Sequence, residues 1–514
     1  MTLPRLTLFD TDPAESAVDA VVLGVHSHDR AGELLIGAGA ESVAAAFDGQ
    51  LTEALRLLGA TGAAGEVVKL ATLGTITAPL VVAVGLGPVP AGASCDPEVL
   101  RRGAGAALRA VAGLGKVALA LPVPDDESAP RAVRALAEGA LLGAYQFAGY
   151  KSTPARKRPV SAIALHVPEA RDRSTRAEVK RATIAATAVA RARDWVNTAP
   201  NYLRPPDFAD RVAEAATEAG LAVEVLNERA LRRAGYGGIL AVGQGSEAPP
   251  RLVRLEYTPP GGRAVARVAL VGKGITFDTG GVSIKPAQGM WEMTSDMSGA
   301  AAVAATLLAV AALKPRITVT GYLPIAENMP SGSAYRPGDV IRMYNGKRVE
   351  VLNTDAEGRM ILADAIARAC EDEPDYLIET STLTGAQIVA LGKRVAGVMG
   401  TPELCERVRR AGELAGEMIW PMPMPDDVRS SMDSAVADVL QTAAGLDKSG
   451  GMLQGAWFLS EFVTPDLPWA HIDIAGPAYH SGEPYGYISK GGTGVPVRTL
   501  LNLLEDIARA GGKN

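Results

Sequence analysis

The chain of 514 residues is poor in cysteine, and this shortage limits the classes of protein to which it can belong. Its three cysteines, Cys95, Cys370 and Cys405, lie far apart in the sequence. An odd number of widely spaced cysteines does not form a disulfide framework and is typical of a reducing compartment. The paired Cys and His spacings of a structural zinc site are also missing. We therefore expect a cytoplasmic protein without covalent cross-links.

Histidine is scarce as well. The five histidines are His26, His28, His166, His471 and His480, and none of them lies within the acidic motifs described below. Histidine is the most common general base in enzymes. If the chain is an enzyme, another group must serve as the general base. We interpret His471, in an alternating apolar segment, as a core or strand-end residue. His480 lies in a Gly- and Pro-rich loop, where lining a pocket is the alternative.

Long apolar runs and a strong net charge are absent. The N-terminus has no apolar region typical of a signal peptide, and Ala300–Leu313 is too short to span a bilayer and ends at Lys314-Pro315. A net charge of −6 argues against general affinity for nucleic acid or membranes. Residues 151–181 are a local exception, with nine Lys or Arg against three Asp or Glu. This segment could bind DNA phosphates, although a solvated linker helix is the preferred interpretation.

The alternation of apolar strands and alanine-rich helices predicts an α/β fold. The length predicts two domains: an N-terminal α/β domain (1–173), a linker helix (174–197) ended by prolines, and a larger C-terminal domain (198–514) with a mostly parallel sheet flanked by helices. The first domain is predicted to contain strands at Ala20–Val25, Leu80–Val84, Val117–Leu121 and Ser161–Val167, and helices at Glu41–Leu58, Pro97–Ala112 and Pro130–Gln146. Gly85-Leu-Gly87 lacks the third glycine of a nucleotide-binding loop.

Two carboxylates lie two positions apart in the segment Asn353-Thr-Asp-Ala-Glu-Gly-Arg359. In an extended or loop conformation, residues i and i+2 point the same way, so Asp355 and Glu357 can face one pocket. Two like charges at that separation repel each other unless a cation lies between them. The segment therefore predicts one metal ion or two. A solvated surface loop is the alternative for an Asp-x-Glu pair taken alone.

A second cluster of charged residues lies upstream and contains Lys273, Asp278, Lys285 and Asp296. Asp278 follows a predicted buried strand, and ligands bind at the carboxyl ends of strands in α/β proteins. Gly280-Gly281 indicates a tight turn or a close approach of the backbone. Asp296 alone could instead cap the helix that is predicted to begin near Ser298.

Local patterns also predict the structure around the acidic segment. Met343–Lys347 predicts a hairpin with Asn345-Gly346 as a type I′ turn. A helix is predicted from Gly358 to about Cys370, followed by a strand over Tyr376–Thr380.

Taken together, these motifs resemble the leucyl aminopeptidase (cytosol aminopeptidase) family of dimetal exopeptidases. The heptapeptide 353–359 is the family signature, and the upstream lysines and aspartates have the family's spacing. Further matches are Ala326–Asp339, Thr382–Gly385 and His471–Gly476. The resemblance is strong over about 190–500 and weak, by position only, over the first 180 residues. Thr294 replaces a lysine that is common in the family, at a position that is not a metal ligand there.

The resemblance implies a site for two metal ions. One ion would be held by Lys273, Asp278, Asp296 and Glu357, and the other by Asp278, Asp355 and Glu357. A lysine can bind a metal only as the neutral amine. Ligand type favours manganese or magnesium, whereas the resemblance favours zinc, with one site exchangeable for manganese or cobalt.

The resemblance also implies the remaining roles. Lys285 would face the substrate carbonyl, and Arg359 would bind a bicarbonate that serves as general base. The pocket for the first side chain would be lined by Met293, Thr382, Leu383 and Gly385. The predicted reaction is release of N-terminal residues, preferably leucine and other aliphatic residues, from peptides with a free N-terminus. A homohexamer of two stacked trimers is implied by the resemblance.

Overall fold

The computed structural model describes residues 3–28, 33–90, 95–153 and 157–511. The chain forms two compact units. The first contains residues 1–190 and 481–490, and the second contains residues 191–480 and 491–514. The division falls inside a helix that spans Arg173–Asn197, between Ala190 and Arg191.

The first unit contains a mostly parallel sheet flanked by helices. Its strands are β1 (Arg5–Phe9), β2 (Ala20–Ser27), β3 (Leu34–Ile36), β4 (Val67–Ala71), β5 (Leu80–Pro88), β6 (Lys116–Ala120) and β7 (Ala162–His166). Its helices are α1 (Glu41–Ala46), α2 (Leu51–Leu57), α3 (Pro97–Ala110), α4 (Ala129–Gly143) and the larger part of α5 (Arg173–Asn197). The strand order is β1-β7-β6-β2-β5-β4, with β3 paired to β2. Among the described strands of this sheet, β3 and β4 are antiparallel to their neighbours and the others are parallel.

The predicted strands of the N-terminal half are present as β2, β5, β6 and β7, because each is an apolar run long enough to be buried on both faces. The predicted single helix over 41–58 is wrong: the structure has α1 and α2 instead. Asp48 and Gly49 separate them, with φ angles of +51° and +77°. A left-handed conformation cannot continue a right-handed helix, so the chain must begin a new helix after this turn.

The second unit carries more elements around a larger sheet. Its strands are β8 (Ala222–Leu226), β9 (Arg251–Tyr257), β10 (Arg267–Gly272), β11 (Gly274–Asp278), β12 (Thr318–Asn328), β13 (Val340–Arg342), β14 (Arg348–Glu350), β15 (Tyr376–Ser381), β16 (Val395–Gly400), β17 (Met418–Pro421), β18 (Val439–Leu440), β19 (Trp469–Asp473), β20 (Tyr479–His480) and β21 (Gly491–Gly492). Its helices are α6 (Pro205–Glu218), α7 (Glu228–Ala234), α8 (Gly237–Gly243), α9 (Ser298–Leu313), α10 (Glu357–Glu371), α11 (Gly385–Leu391), α12 (Pro402–Ala415), α13 (Asp426–Ser430), α14 (Gly451–Ser460) and α15 (Val497–Ala510).

The main sheet of the second unit has the strand order β17-β16-β19-β15-β10-β12-β9-β8, with β11 paired to β12. Its centre is parallel: β12, β10, β15 and β19 run in the same direction. Antiparallel strands join on both sides, β9 against β12 and β16 against β19. The mostly parallel sheet predicted from the sequence is confirmed. The carboxyl ends of the parallel strands therefore meet at one edge, where loops can present side chains to a ligand.

Helix α9 is apolar on every side because it lies in the core. The segment Met290–Leu313 has the length and composition of a membrane span, but 78% of its most apolar window is buried inside the fold. Lys314 adopts φ +57° and Pro315 follows, which ends the helix as the sequence predicts. The prediction of a core helix is confirmed.

The predicted hairpin before the acidic segment is present, but its turn is not type I′. Strands β13 and β14 pair with Arg342 opposite Arg348, and Met343 N donates to Lys347 O. Gly346 N donates to Met343 O, which makes Tyr344 and Asn345 the central residues. Gly346, at φ +92°, is the residue of this turn in the left-handed region. The longer loop allows a wider turn than Asn345-Gly346 alone suggested.

Candidate metal centre

The acidic and basic residues predicted from the sequence lie at the carboxyl edge of the main sheet of the second unit. Lys273 follows β10 directly, and Asp278 is the last residue of β11. Thr382 follows β15, and Glu357 is the first residue of α10. Parallel strand direction, rather than proximity in sequence, brings these segments together.

Three carboxylates form the centre of the cluster. Asp278, Asp355 and Glu357 each offer an oxygen, and these oxygens lie within 4.8 Å of one another. Asp278 and Glu357 are buried and Asp355 is partly exposed. Three negative charges at this separation repel strongly unless positive charge lies among them.

Two lysines supply positive charge in this structure. Lys285 Nζ lies 2.7 Å from Asp278 Oδ2 and 2.5 Å from Asp355 Oδ1. Lys273 Nζ lies 2.8 Å from Asp296 Oδ1 and 2.8 Å from Glu357 Oε1, and it donates to Thr382 O at 3.0 Å. The five predicted metal-binding residues and Lys285 therefore belong to one network.

Burial and neighbouring charges shift the pKa values of the residues in the cluster. Burial, followed by the charge of Glu357, raises the pKa of Asp278. Burial likewise raises the pKa of Asp296 well above its ordinary value and that of Asp355 to about 6. Burial also disfavours the ammonium forms of Lys273 and Lys285, but the surrounding carboxylates outweigh it and raise both lysine pKa values. The pKa of Glu357 is instead lowered, because the charges of Lys273 and Lys285 outweigh its burial. Nearby positive charge thus favours the ionised form of these carboxylates.

Two buried oxygens test whether a metal ion fits. Asp296 Oδ2 and Glu357 Oε2 have no hydrogen-bond partner among the described residues. Buried carboxylate oxygens without partners are costly, and a divalent cation would satisfy them. Carboxylate oxygens with one amine suit zinc, manganese, magnesium or cobalt. Lys273 could join as a ligand only after losing the proton that Asp296 and Glu357 now stabilise.

Asp296 does not cap the following helix, so that alternative is wrong. The N-cap residue of α9 is Met297, and no side chain forms a cap hydrogen bond there. Asp296 Oδ1 instead accepts from Thr382 Oγ1 at 2.7 Å as well as from Lys273. Its carboxylate therefore faces the cluster.

The acidic segment is tied to the glycine pair after β11. Thr354 Oγ1 donates to Gly280 O at 2.7 Å and accepts from Ser283 N at 2.8 Å. Gly280 and Gly281 have φ angles of +86° and +65°, which confirms the predicted tight turn. This turn holds Asp355 close to Asp278, although the two are distant in sequence.

Arg359 lies in the first turn of α10 and is buried. Its Nη1 donates to Gln441 O at 2.7 Å, and its guanidinium carbon lies 6.0 Å from the centre of the Phe458 ring. Nε has no partner among the described residues, and burial lowers the pKa of Arg359 to about 10. The side chain therefore keeps its charge at neutral pH and has a donor available.

A cavity of about 960 Å³ opens beside Asp355 and Arg359. Two of the predicted pocket residues, Leu383 and Gly385, line it. Met293 and Thr382 are not among the described residues that line it: Met293 lies in a 3₁₀ helix at Met290–Ser295, and Thr382 binds Asp296. Much of the wall is apolar and is formed by Ala386, Val389, Ala390, Met422, Met452 and Leu453.

Two of the histidines, His471 and His480, lie in strands of the second unit. His471 is buried in β19, and its Nδ1 is hydrogen-bonded to Glu379 Oε2. The interpretation of His471 as a core residue is confirmed. His480 lies in β20 and is not among the described residues that line the cavity.

Sequence reasoning missed the polar residues that hold the acids in place, chiefly Asn328, Tyr335 and Thr354. Asn328 Nδ2 donates to Asp278 Oδ1 at 2.8 Å, and Tyr335 Oη donates to Thr354 O at 3.0 Å. A signal was available, because Asn328 and Tyr335 lie in the motif Ala326–Asp339 and Thr354 lies in the heptapeptide. Which partner each would bind depends on the sheet register.

Comparison with known proteins identifies the family of this chain. Residues 190–501 match the model of the cytosol aminopeptidase family, catalytic domain, and residues 22–154 match the N-terminal domain of that family. A probable cytosol aminopeptidase from Rhodococcus jostii is 50% identical, with 99% of this chain and 98% of that protein covered. One from Streptomyces coelicolor is 49% identical, with 99% of each chain covered.

Solved structures are similar along nearly the whole chain. The bottromycin maturation enzyme BotP in complex with Mn is 37% identical with a TM-score of 0.81, covering 96% of this chain and 100% of that one. A tomato leucine aminopeptidase mutant is 29% identical with a TM-score of 0.85, covering 98% of this chain and 97% of that one. The chain therefore belongs to the cytosol aminopeptidase family of metal-dependent peptide-bond hydrolases.

Proposed function

We propose that this protein releases N-terminal amino acids, preferably leucine and other aliphatic residues, from peptides with a free N-terminus, and that it uses two divalent cations to do so. The observation that carries the proposal is the cluster of Asp278, Asp355 and Glu357, whose oxygens lie within 4.8 Å of one another. The adjacent pairs of Lys273 with Asp296 and Lys285 with Asp278 extend this cluster.

The proposed division of the ligands follows the sequence motifs. One cation would be held by Lys273, Asp278, Asp296 and Glu357, and the other by Asp278, Asp355 and Glu357. Zinc and manganese are the proposed ions, with cobalt and magnesium as alternatives. When bound, such a pair polarises the scissile carbonyl and lowers the pKa of an attacking water.

The lysine and arginine side chains would contribute in different ways. Lys285 now neutralises Asp278 and Asp355. Once cations balance those carboxylates, its ammonium is free to donate to the carbonyl oxygen as negative charge develops there. Arg359 keeps an unused donor beside the cavity, and a planar guanidinium suits a carbonate-like anion. A bicarbonate bound there would supply the general base.

The shape of the cavity supports an aliphatic preference. Leu383, Met422, Met452 and Leu453 are apolar residues that line the same cavity as Asp355. Methionine side chains adapt to ligands of different shape, so unbranched and branched aliphatic residues both fit. We keep Met293 and Thr382 as proposed pocket residues.

The experiment that tests the proposal compares two substrates and the metal content. The purified protein should contain bound divalent metal and hydrolyse leucine anilide, and a chelator should abolish the activity. N-acetyl-leucine anilide should be inert, because a blocked amine can no longer bind at the metal centre. Full activity in metal-free protein would contradict the mechanism, and equal cleavage of both anilides would contradict the exopeptidase assignment.

We further propose a cytoplasmic homohexamer of two trimers, in which residues 1–173 serve assembly or regulation and residues 198–514 carry the activity. Free Cys95, Cys370 and Cys405 suit a reducing compartment. Light scattering should give ~320 kDa, six times the chain mass of 53.2 kDa. A measured molecular mass equal to that of one chain would contradict the hexamer and would leave the catalytic proposal unaffected.

A further inference from the structure

Asn328 connects two segments that carry acidic residues of the candidate centre. It is the last residue of β12 and lies in register with Asp278, the last residue of β11. Its Nδ2 donates to Asp278 Oδ1 at 2.8 Å and to Thr354 O at 3.0 Å. One amide nitrogen therefore bridges the end of a strand and the loop that presents Asp355.

The orientation of this amide is fixed by its surroundings. Both neighbours of Nδ2 are acceptors, so the reversed amide would place its oxygen against two other oxygens. Asn328 is 1% exposed. A Cβ atom at Gly281 would lie 2.8 Å from Asn328 Oδ1, which shows how closely the turn packs on the amide. The two acceptors therefore determine the orientation of the amide.

The same bond determines which oxygen of Asp278 faces the cluster. Asp278 Oδ1 accepts from Asn328 and also from Gly280 N at 2.9 Å. Asp278 Oδ2 instead lies 2.7 Å from Lys285 Nζ. Hydrogen bonds to one carboxylate oxygen leave the other as the free electron-pair donor, and bonds of this kind orient and tune metal-binding groups.

We propose that Asn328 is a positioning residue: it directs Asp278 Oδ2 toward the cations and, through Thr354 O, sets the distance from Asp278 to Asp355. The inference rests on the proposed dimetal function. It adds that Asp278 acts through a single oxygen and that the motif Ala326–Asp339, which contacts no substrate in this scheme, serves to build the centre.

Tyr335 offers a matched control. Its Oη also donates to Thr354 O, at 3.0 Å, and it is as deeply buried as Asn328. Tyr335→Phe removes one bond to the loop and leaves the bond from Asn328 to Asp278 intact. Asn328→Leu has a similar side-chain volume and removes both bonds of the amide. A difference between these variants therefore reports on Asp278.

The test measures binding of Mn²⁺ alone to chelator-stripped protein by equilibrium dialysis, together with the melting temperature of the stripped protein. We expect Asn328→Leu to bind Mn²⁺ about 10- to 100-fold more weakly than the wild type. We expect Tyr335→Phe to weaken binding by less than about fivefold, the effect of one hydrogen bond. Equal Mn²⁺ affinity in the wild type and Asn328→Leu would overturn the inference.

A second variant keeps the test decisive if Asn328→Leu does not fold. Asn328→Asp preserves the shape but places acceptors against Asp278 Oδ1 and Thr354 O. We expect weaker Mn²⁺ binding, because the donor to Asp278 Oδ1 is lost. Binding as tight as in the wild type, or tighter, would overturn the inference. Failure of the wild type to bind Mn²⁺ would instead contradict the proposed dimetal function, so the two failures are distinguishable.

Discussion

Gly358 leaves the space that the side chain of Lys273 occupies. A Cβ atom at residue 358 would lie 2.5 Å from Lys273 Cε and 2.7 Å from Lys273 Nζ. Lys273 cannot move away without cost, because its ammonium is held by Asp296 and Glu357 in a buried position. The missing side chain at Gly358 thus makes room for Lys273, which lies 85 positions earlier in the chain.

Gly358→Ala should displace the amine of Lys273 and weaken cation binding. We expect the affinity for Mn²⁺ to fall by about 10- to 100-fold, as when other supporting contacts of a metal site are lost. Equilibrium dialysis checks this. Gly332→Ala is the control, because a Cβ at that exposed glycine meets nothing within 4 Å. Unchanged binding in Gly358→Ala would show that Lys273 is not needed for the cations.

Lys285→Ala and Asp355→Asn should separate rate from metal binding. Removing Lys285 takes away a cation that competes for Asp278 and Asp355, so the metal content should be kept. The rate should fall by about 10²- to 10³-fold, because a donor to the developing oxyanion is lost.

Asp355→Asn should lose both bound metal and catalytic activity. Metal analysis and leucine anilide turnover of both variants decide the matter, and loss of metal in Lys285→Ala would contradict the assigned role.

Asp364 should make stability depend on pH. It is buried in α10 and accepts from Ile239 N at 3.0 Å and Tyr344 N at 2.8 Å, yet burial raises its pKa to about 7. A group with a raised pKa contributes stability that is complete below its unfolded pKa and is lost as the pH rises through its folded pKa. The loss for Asp364 is at most about 4 kcal/mol between pH 4 and 8.

Calorimetry of Asp364→Asn checks this expectation. The wild-type melting temperature should fall between about pH 5 and pH 8 more steeply than that of the variant, which has no proton to lose at this position. The variant should be less stable at low pH, since its amide nitrogen faces a backbone donor. Parallel pH profiles for the two proteins would show that Asp364 does not titrate in this range.

The basic segment 151–181 should not give the protein appreciable affinity for DNA. Residues 154–156 lie outside the described part of the chain, but two of the remaining cations have partners within the protein. Arg176 Nε donates to Ala170 O at 3.0 Å, and buried Arg181 lies 3.9 Å from Glu138. We expect no retarded band in a gel shift at about 50 mM or 200 mM salt. A band that disappears between these concentrations would favour the DNA-binding alternative.

Local sequence patterns predicted much of the fold because they report on burial. The apolar runs at 20–25, 80–84 and 117–121 become β2, β5 and β6, since a strand covered on both faces needs an unbroken apolar run. The helix predicted from Gly358 to Cys370 is α10, which spans Glu357–Glu371. The turn at Gly280-Gly281 also followed from the glycines alone.

Other features depend on where distant segments meet. Asp278 and Asn328 are 50 positions apart, and only the pairing of β11 with β12 makes them neighbours. The break between α1 and α2 follows from left-handed backbone at Asp48 and Gly49, which the alanine-rich pattern did not reveal. Residues 481–490 belong to the first unit, although the segments before and after them belong to the second. No local sequence pattern predicts this.

The sequence by itself determined which residues carry the chemistry of this protein: the carboxylates two positions apart, the lysines and aspartates upstream, and the strands that end beside them. The tertiary structure decided how they are held, from the lysine partners of each carboxylate to the amide of Asn328 and the space at Gly358. The physical reason is that charge and periodicity are properties of short segments, whereas hydrogen-bond partners and free space depend on the register of strands that the chain brings together only on folding.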